Sequence, residues 1–215
     1  MRKSGSNHDA PTLTEERALR QCGYTCIAGM DEAGRGALAG PVVAAAVILP
    51  HCDEFPSLRE VRDSKKLPPA KRDHLYDIIC REALAVGVGI IESYIIDHIN
   101  ILEATKAAMV TAINNLKIKP DFLIIDAVTI QKLTIPQKGI VKGDSLCFSI
   151  SCASIIAKVT RDRLMVELDG KYPQYGLAEH KGYGTKKHLD CLMKHGPCPA
   201  HRRSFSPVAG IQLPL

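Results

Sequence analysis

The sequence predicts an α/β domain with a helical C-terminal part. Short apolar runs of strand character at 24–30, 42–49, 83–91 and 122–125 alternate with amphipathic stretches of helical period. A chain of 215 residues can bury roughly 70% of its unfolded surface, so it needs no disulfide staple. No internal repeat, low-complexity tract or linker divides it, and residues 1–215 therefore read as a single domain.

Taken in order, residues 1–11 are polar and read as a loose tail. Thr12-Leu-Thr-Glu15 spells a capping box opening a short helix that Gly23 ends. The apolar segments 24–30, 42–49 and 83–91 supply three early strands. Between the last two, 59–67 is charged and reads as an exposed loop, and the pair Pro68-Pro69 introduces a helix over 70–81 with Leu75, Ile78 and Ile79 as its apolar stripe. Leu102, Met109, Ala112, Ile113 and Leu116 recur at helical spacing and predict a helix over 100–116, stopped before Pro120. The unbroken apolar run 122–125 predicts a strand buried on both faces whose carboxyl end, Asp126, emerges at a site. Asp144-Ser145 starts a second long helix reaching about Leu168, with Gly170 as its stop and small residues along its first half. A last helix covers 185–194, inside a basic helical part at about 171–215.

Composition excludes several classes. With 46% hydrophobic and 24% charged residues the chain is neither disordered nor fibrous. The longest apolar run, 42–49, is too short to span a membrane, and the polar start lacks the apolar core of a signal peptide, so a cytoplasmic protein is expected. The eight cysteines form no CxxC pair and read as reduced, packed thiols. Cys191, His195, Cys198 and His201 lie close together, but their spacing matches no common zinc pattern, and the segment reads as a surface turn with two incidental thiols. The net charge is +5, and 171–203 holds seven basic residues against two acids, an excess equal to that of the whole chain. A phosphate-facing surface is expected there.

Three groups of residues can carry chemistry. Asp31-Glu32, Asp126 and Asp144 are acids at the ends of predicted elements, and four carboxylates balance two divalent cations. Oxygen-only ligands suit Mg²⁺ or Mn²⁺, and two such ions suit phosphoryl chemistry. The same acids read equally well as separate surface or capping residues. Gly34-Arg35-Gly36, closed by Gly40-Pro41, keeps side-chain bulk away from a backbone that can then approach a sugar or phosphate, although a hairpin loop needs such glycines too. Lys181-Gly-Tyr183-Gly-Thr185, with Lys186 and Lys187, places an aromatic ring among cations, as a nucleic-acid contact or as an ordinary exposed turn.

Together these segments resemble a known family. Gly29-Met-Asp-Glu-Ala-Gly-Arg-Gly36 with Gly40-Pro41, then Asp63-Ser-Lys-Lys-Leu67, the strand ending at Asp126, Lys142-Gly-Asp144, Ala153-Ser-Ile-Ile-Ala-Lys-Val-Thr-Arg-Asp162, Lys181-Gly-Tyr-Gly-Thr185 and His201-Arg-Arg-Ser-Phe205 occur in the order found in ribonuclease HII, the type 2 ribonuclease H. The resemblance covers about 24–208. It implies a ribonuclease H-like fold with a mixed five-stranded sheet flanked by helices. It also implies an endoribonuclease acting on RNA/DNA hybrids and on ribonucleotides embedded in duplex DNA, with Mg²⁺ or Mn²⁺ as cofactor. Carried over by motif, Asp31, Glu32, Asp126 and Asp144 become the metal-binding carboxylates. Gly34, Arg35 and Gly36 become the loop that senses the 2′-hydroxyl, and Tyr183 the ring against the following deoxyribose. Lys65, Lys66 and Lys181 become backbone contacts. A monomer is expected, with no membrane association and with the tail at 210–215 as a possible seat for a replication partner. Another two-metal nuclease on a related fold, or a non-catalytic nucleic-acid-binding module, are the rival readings.

Overall fold

The computed structural model describes residues 10–131 and 133–211. The expected loose tail therefore falls outside the described residues at 1–9, and Pro11, which composition assigns to that tail, is buried.

The helices are α1 (Thr14–Gln21), α2 (Pro69–Glu82), α3 (Ser93–Asn114), α4 (Gly143–Leu146), α5 (Phe148–Lys171), α6 (Leu177–His180) and α7 (Lys186–His195). The strands are β1 (Ile27–Ala33), β2 (Val42–Ile48), β3 (Ala85–Ile91), β4 (Phe122–Asp126) and β5 (Gln137–Ile140), joined in one sheet of order β3-β2-β1-β4-β5. β1 and β4 run parallel, with Met30 opposite Ile125, and β4 and β5 run parallel, with Asp126 opposite Ile140. The loop at 34–41 is too short for a parallel crossover, so β1 and β2 run antiparallel and the five-stranded sheet is mixed, as expected.

Two compact units divide the described chain. The first comprises the described residues through Asp31, Ala46–Val86 and Leu116–Ile156. In it Ile27, Ile124, Cys147 and Ile150 form a core cluster against which Leu19, Tyr24, Phe122 and Ile140 pack. A Cβ on Gly29 would press on Ser149 and lie 2.6 Å from the amide nitrogen of Ile150, so only glycine lets α5 close on β1 there. The second unit comprises Glu32–Ala45, Gly87–Asn115 and the chain from Ala157. Its core gathers Leu38, Met165, Tyr175, Leu177, Leu192 and Val208, and Gly89 lets β3 come against Ala108 of α3.

Several expectations need correction. The capping box does not form: α1 has Leu13 as its N-cap without a side-chain bond, and buried Glu16 instead accepts the amide and hydroxyl of Ser149 at 2.9 and 2.7 Å. The helix predicted over 100–116 is the second limb of α3, which begins at Ser93 and breaks at Asn100 (φ 66°). The Asn100 carboxamide oxygen accepts the amides of Leu102 and Glu103 and so caps that limb, while Leu102 lies 42% exposed rather than in the core. The long helix is interrupted after one turn. Cys147 is extended because Thr12 pairs with it in a parallel bridge, and α5 then runs past Gly170 to Lys171. The loop at 59–67 holds a 3₁₀ turn, Ser64–Lys66, whose Ser64 is buried. Sequence periodicity gave no hint of β5.

Candidate active site

Two parallel strands bring the first two acids together. The Met30–Ile125 register places the next residue of each strand, Asp31 and Asp126, side by side, at the usual inter-strand spacing of about 4.8 Å. Asp31 therefore lies inside β1 rather than after it, and it is 4% exposed. The third acid is delivered by α4, whose entry residue Lys142 is left-handed (φ 59°). From that turn the Gly143 amide donates to Asp126 Oδ1 at 2.8 Å. The Ser151 hydroxyl donates to the Asp144 carbonyl and ties the turn to α5. Asp31, Asp126 and Asp144 each offer a carboxylate oxygen, and these atoms all lie within 4.8 Å of one another.

Unit charges about 5 Å apart repel by roughly 3 kcal/mol per pair at an effective dielectric of about 20, so three carboxylates so placed call for cations. One cation is supplied by the protein: Lys65 Nζ lies 3.3 Å from Asp144 Oδ2. The Lys65 turn is anchored by the Asp63 carboxylate, which accepts the Lys65 amide at 3.0 Å, and by Ser64, which shares a 2.8 Å hydroxyl contact with Ser154. Burial alone would lower the Lys65 pKa, but Asp144 first, then Asp63 and Asp31, outweigh it and hold the ammonium above its ordinary value. The donor set is all oxygen and fits a hard divalent ion such as Mg²⁺ or Mn²⁺. Among the described residues this is the one group of acids, histidines and cysteines close enough to hold a metal. Lys66 is exposed. Glu32 is not part of that trio, and its Oε1 accepts Arg35 Nη1 at 3.2 Å.

The glycine loop is organised within the second unit by two buried arginines that sequence reading missed. Arg161 donates to the carbonyls of Pro41 (2.9 Å), Lys181 (2.9 Å) and Ala39 (3.0 Å). Arg202 donates to the carbonyl of Gly40 through Nε (3.1 Å) and Nη2 (2.9 Å), and to that of Arg35 (2.9 Å). Both guanidinium groups are fully buried, and their burial, with Arg161 acting on Arg202, pushes the Arg202 pKa down. Arg202 thus cannot serve as one of the phosphate-facing cations counted in 171–203. A signal for Arg161 existed: Ala153, Ala157, Arg161 and Met165 repeat every four residues, and all are buried.

Gly34 (φ 96°) runs so close over Arg161 that a Cβ there would lie 2.5 Å from Cδ, whereas Gly36 faces open space. Tyr183 is 38% exposed, with Arg161 Cζ 5.4 Å from its ring centroid. Lys181 is left-handed (φ 51°), and its ammonium donates to the Ala178 carbonyl. The segment read as a surface turn with incidental thiols is not on the surface at Cys198 and His201, which are both buried and meet at 3.1 Å. No helix among the described residues is long and apolar enough to cross a membrane.

Comparison with known proteins agrees with this geometry. The sequence profile of the family described as ribonuclease HII matches residues 28–208. Ribonuclease HII of Dehalococcoides mccartyi is 52% identical over 201 residues, covering 94% of this chain and 95% of that protein. The crystal structure of ribonuclease H2 from Pyrococcus horikoshii OT3 superposes with a TM-score of 0.70 at 29% identity, over 86% of this chain and 95% of that one. RNase HII from Archaeoglobus fulgidus, solved as a complex with PCNA, gives a TM-score of 0.69 at 27% identity, over 82% and 93%. With the ribonuclease H-like sheet, the acids gathered from β1, β4 and α4 and a match over most of its length, the chain belongs to the ribonuclease HII family and is a ribonuclease H enzyme.

Proposed function

We propose that the enzyme hydrolyses the RNA strand of RNA/DNA hybrids and cuts on the 5′ side of ribonucleotides embedded in duplex DNA, leaving 3′-hydroxyl and 5′-phosphate ends. The convergence of Asp31, Asp126 and Asp144 within 4.8 Å carries this reading. These three residues, with Glu32 as a fourth carboxylate, would hold two Mg²⁺ or Mn²⁺ ions. When bound, such ions supply Lewis acidity, polarising an attacking water and offsetting charge on the departing oxygen. The Gly143 amide fixes the orientation of Asp126, and Lys65 lowers the repulsion among the acids.

Selection of substrate falls to other residues. Gly34, Arg35 and Gly36 present backbone to the 2′-hydroxyl, the one group that separates ribose from deoxyribose. The exposed Tyr183 ring packs on the following sugar, and Lys65, Lys66 and Lys181 meet the backbone. A cytoplasmic monomer belongs to the same proposal, supported by eight cysteines outside any disulfide for the compartment. The PCNA complex of the A. fulgidus relative supports a replication partner at the tail 210–215, of which 212–215 lie outside the described residues.

The test is cleavage of duplex DNA bearing one ribonucleotide, with Mg²⁺, with Mn²⁺ or with chelator, followed by end mapping. Metal-dependent cuts with 3′-hydroxyl termini are expected. A cyclic phosphate product, or cleavage that persists in chelator, overturns the mechanism, and salt-dependent binding without any cleavage favours a binding module.

A further inference from the structure

Three histidines lie buried behind the Tyr183 loop, and their hydrogen bonds admit one arrangement of protons. The Cys198 amide donates to His201 Nδ1 at 3.1 Å, so that nitrogen carries a lone pair and the proton of neutral His201 sits on Nε2. His201 Nε2 lies 3.0 Å from His188 Nε2, which must therefore accept. His188 then keeps its proton on Nδ1, 2.9 Å from the carbonyl oxygen of Tyr183, which can only accept. Behind this chain the Gly182 amide donates to His180 Nδ1 (3.2 Å), leaving His180 Nε2–H to donate to the Tyr175 carbonyl (2.8 Å). The His180 and His188 rings stack with centroids 4.3 Å apart, and Tyr175 meets His201 edge-on at 4.7 Å.

From His201 through His188 the donors run to the Tyr183 carbonyl, and His180 accepts the Gly182 amide beside it. We propose that His188 and His201 are positioning residues for Tyr183: their buried pair, in a single tautomeric arrangement, fixes the Tyr183 carbonyl and so sets where the exposed ring meets the sugar. The inference rests on the proposed sugar-facing role of Tyr183. The Tyr183 backbone also stands next to Gly182 (φ 77°), where a Cβ would press on the Ala39 carbonyl and lie 3.1 Å from Met165 Cε, so the loop is held from that side as well. A proton added to His188 would set two donors against each other at the Nε2–Nε2 contact, and one added to His201 would set an Nδ1–H against the Cys198 amide. Burial first, then the neighbouring histidines His188 and His180 and the cation Arg203, keep His201 neutral by pushing its pKa down to about 4. His188 is likewise lowered by burial and by His180.

The arrangement is directly observable. Histidine side-chain ¹⁵N spectra of the protein should give an Nδ1–H tautomer for His188 and an Nε2–H tautomer for His201 at pH 8. A common tautomer for His188 and His201 overturns the proposal. The functional test is a double-mutant cycle on duplex DNA with one ribonucleotide. Tyr183→Ala is expected to lower kcat/KM by ten- to a hundredfold, as for a lost positioning contact. His188→Phe is expected to lower it comparably, and His188→Asn, which retains a donor toward the Tyr183 carbonyl, to recover part of the loss. In the Tyr183→Ala background His188→Phe should add less than about twofold. Multiplicative losses in the double variant would leave His188 a purely structural residue and refute the inference. Full activity in Tyr183→Ala would instead remove the sugar-facing role of the tyrosine, and the positioning role with it.

Discussion

Gly34 and Gly36 share a motif, but the structure assigns them unequal work, and alanine at each position separates the two. At Gly34 the backbone has φ 96°, and a Cβ would lie 2.5 Å from Cδ and 2.8 Å from Cζ of Arg161, closer still to Nε. A left-handed alanine costs about 1–2 kcal/mol. Arg161 cannot swing aside, because it is fully buried and its three nitrogens are committed to the carbonyls of Pro41, Lys181 and Ala39. Each such charged hydrogen bond is worth about 1.5–3 kcal/mol, so losing one brings the total for Gly34→Ala to about 2.5–5 kcal/mol. In a protein of this size that is a fall in Tm on the order of 10 °C. Gly36 has open space around its Cα and no positive φ, and Gly36→Ala should stay within about 0.5 kcal/mol of the parent. Thermal unfolding of the two variants, beside cleavage of matched ribose and deoxyribose duplexes, measures both consequences. Equal unfolding temperatures for the two variants would refute the assignment of Arg161 as the rigid floor of this loop.

Asp126→Asn keeps the oxygen that the Gly143 amide uses but removes one charge from the acidic trio. Turnover should drop by orders of magnitude while Tm in chelator holds or rises, and full activity would exclude Asp126 as a metal ligand. Arg202→Lys cannot reach both the Gly40 and Arg35 carbonyls with one ammonium and should destabilise by about 2–3 kcal/mol, read as a lower denaturant midpoint; an unchanged midpoint would mean that the guanidinium fork is dispensable. Asp97 on α3 accepts the amides of Arg203 and Ser204 at 2.8 and 2.9 Å and the Ser204 hydroxyl at 2.6 Å. Burial would raise its pKa, but these bonds outweigh it and lower the value, so its contribution is present above about pH 4, the unfolded value, and is lost as pH falls through the folded one. Asp97→Asn should therefore be less stable than the parent at pH 6, with the deficit shrinking as pH falls below about 4, and a deficit undiminished in acid would contradict the linkage.

Much of the fold is legible in the sequence because most elements have their own apolar pattern. β2 is buried at every position and α2 presents Leu75, Ile78 and Ile79 inward, and both read directly as runs or stripes. β5 has no such pattern: Gln137 to Ile140 are exposed or half-buried, and the strand exists because β4 offers an edge for parallel pairing. The break at Cys147 is equally non-local, since Thr12 makes the pairing that draws it out of the helix. Local rules describe what a segment can do alone, and these two segments are shaped by residues distant in the chain.

The acids and the arginines differ in legibility for a related reason. Asp31 and Asp126 each close an apolar run, the first inside β1 and the second at the end of β4, where a carboxylate is costly unless a cation meets it, so their type and position mark them before any geometry is known. Arg161 and Arg202 look like ordinary surface cations in a basic chain. The four-residue stripe of α5 points Arg161 inward, but the role of each comes from what it binds, chiefly backbone carbonyl oxygen brought in from the loop at 34–41. Carbonyls leave no trace in the identities of the residues that carry them. Counting +5 in the sequence therefore overstates the charge open to a nucleic acid by at least these two buried guanidinium groups. Electrostatic attraction to a phosphate backbone has to come from the exposed lysines that remain, among them Lys66, Lys186 and Lys194. The slope of substrate affinity against salt should consequently fall when those lysines are neutralised. It should stay unchanged in a folded Arg202→Met variant, because a cation already bound to carbonyls beneath the loop releases no counterion from the duplex.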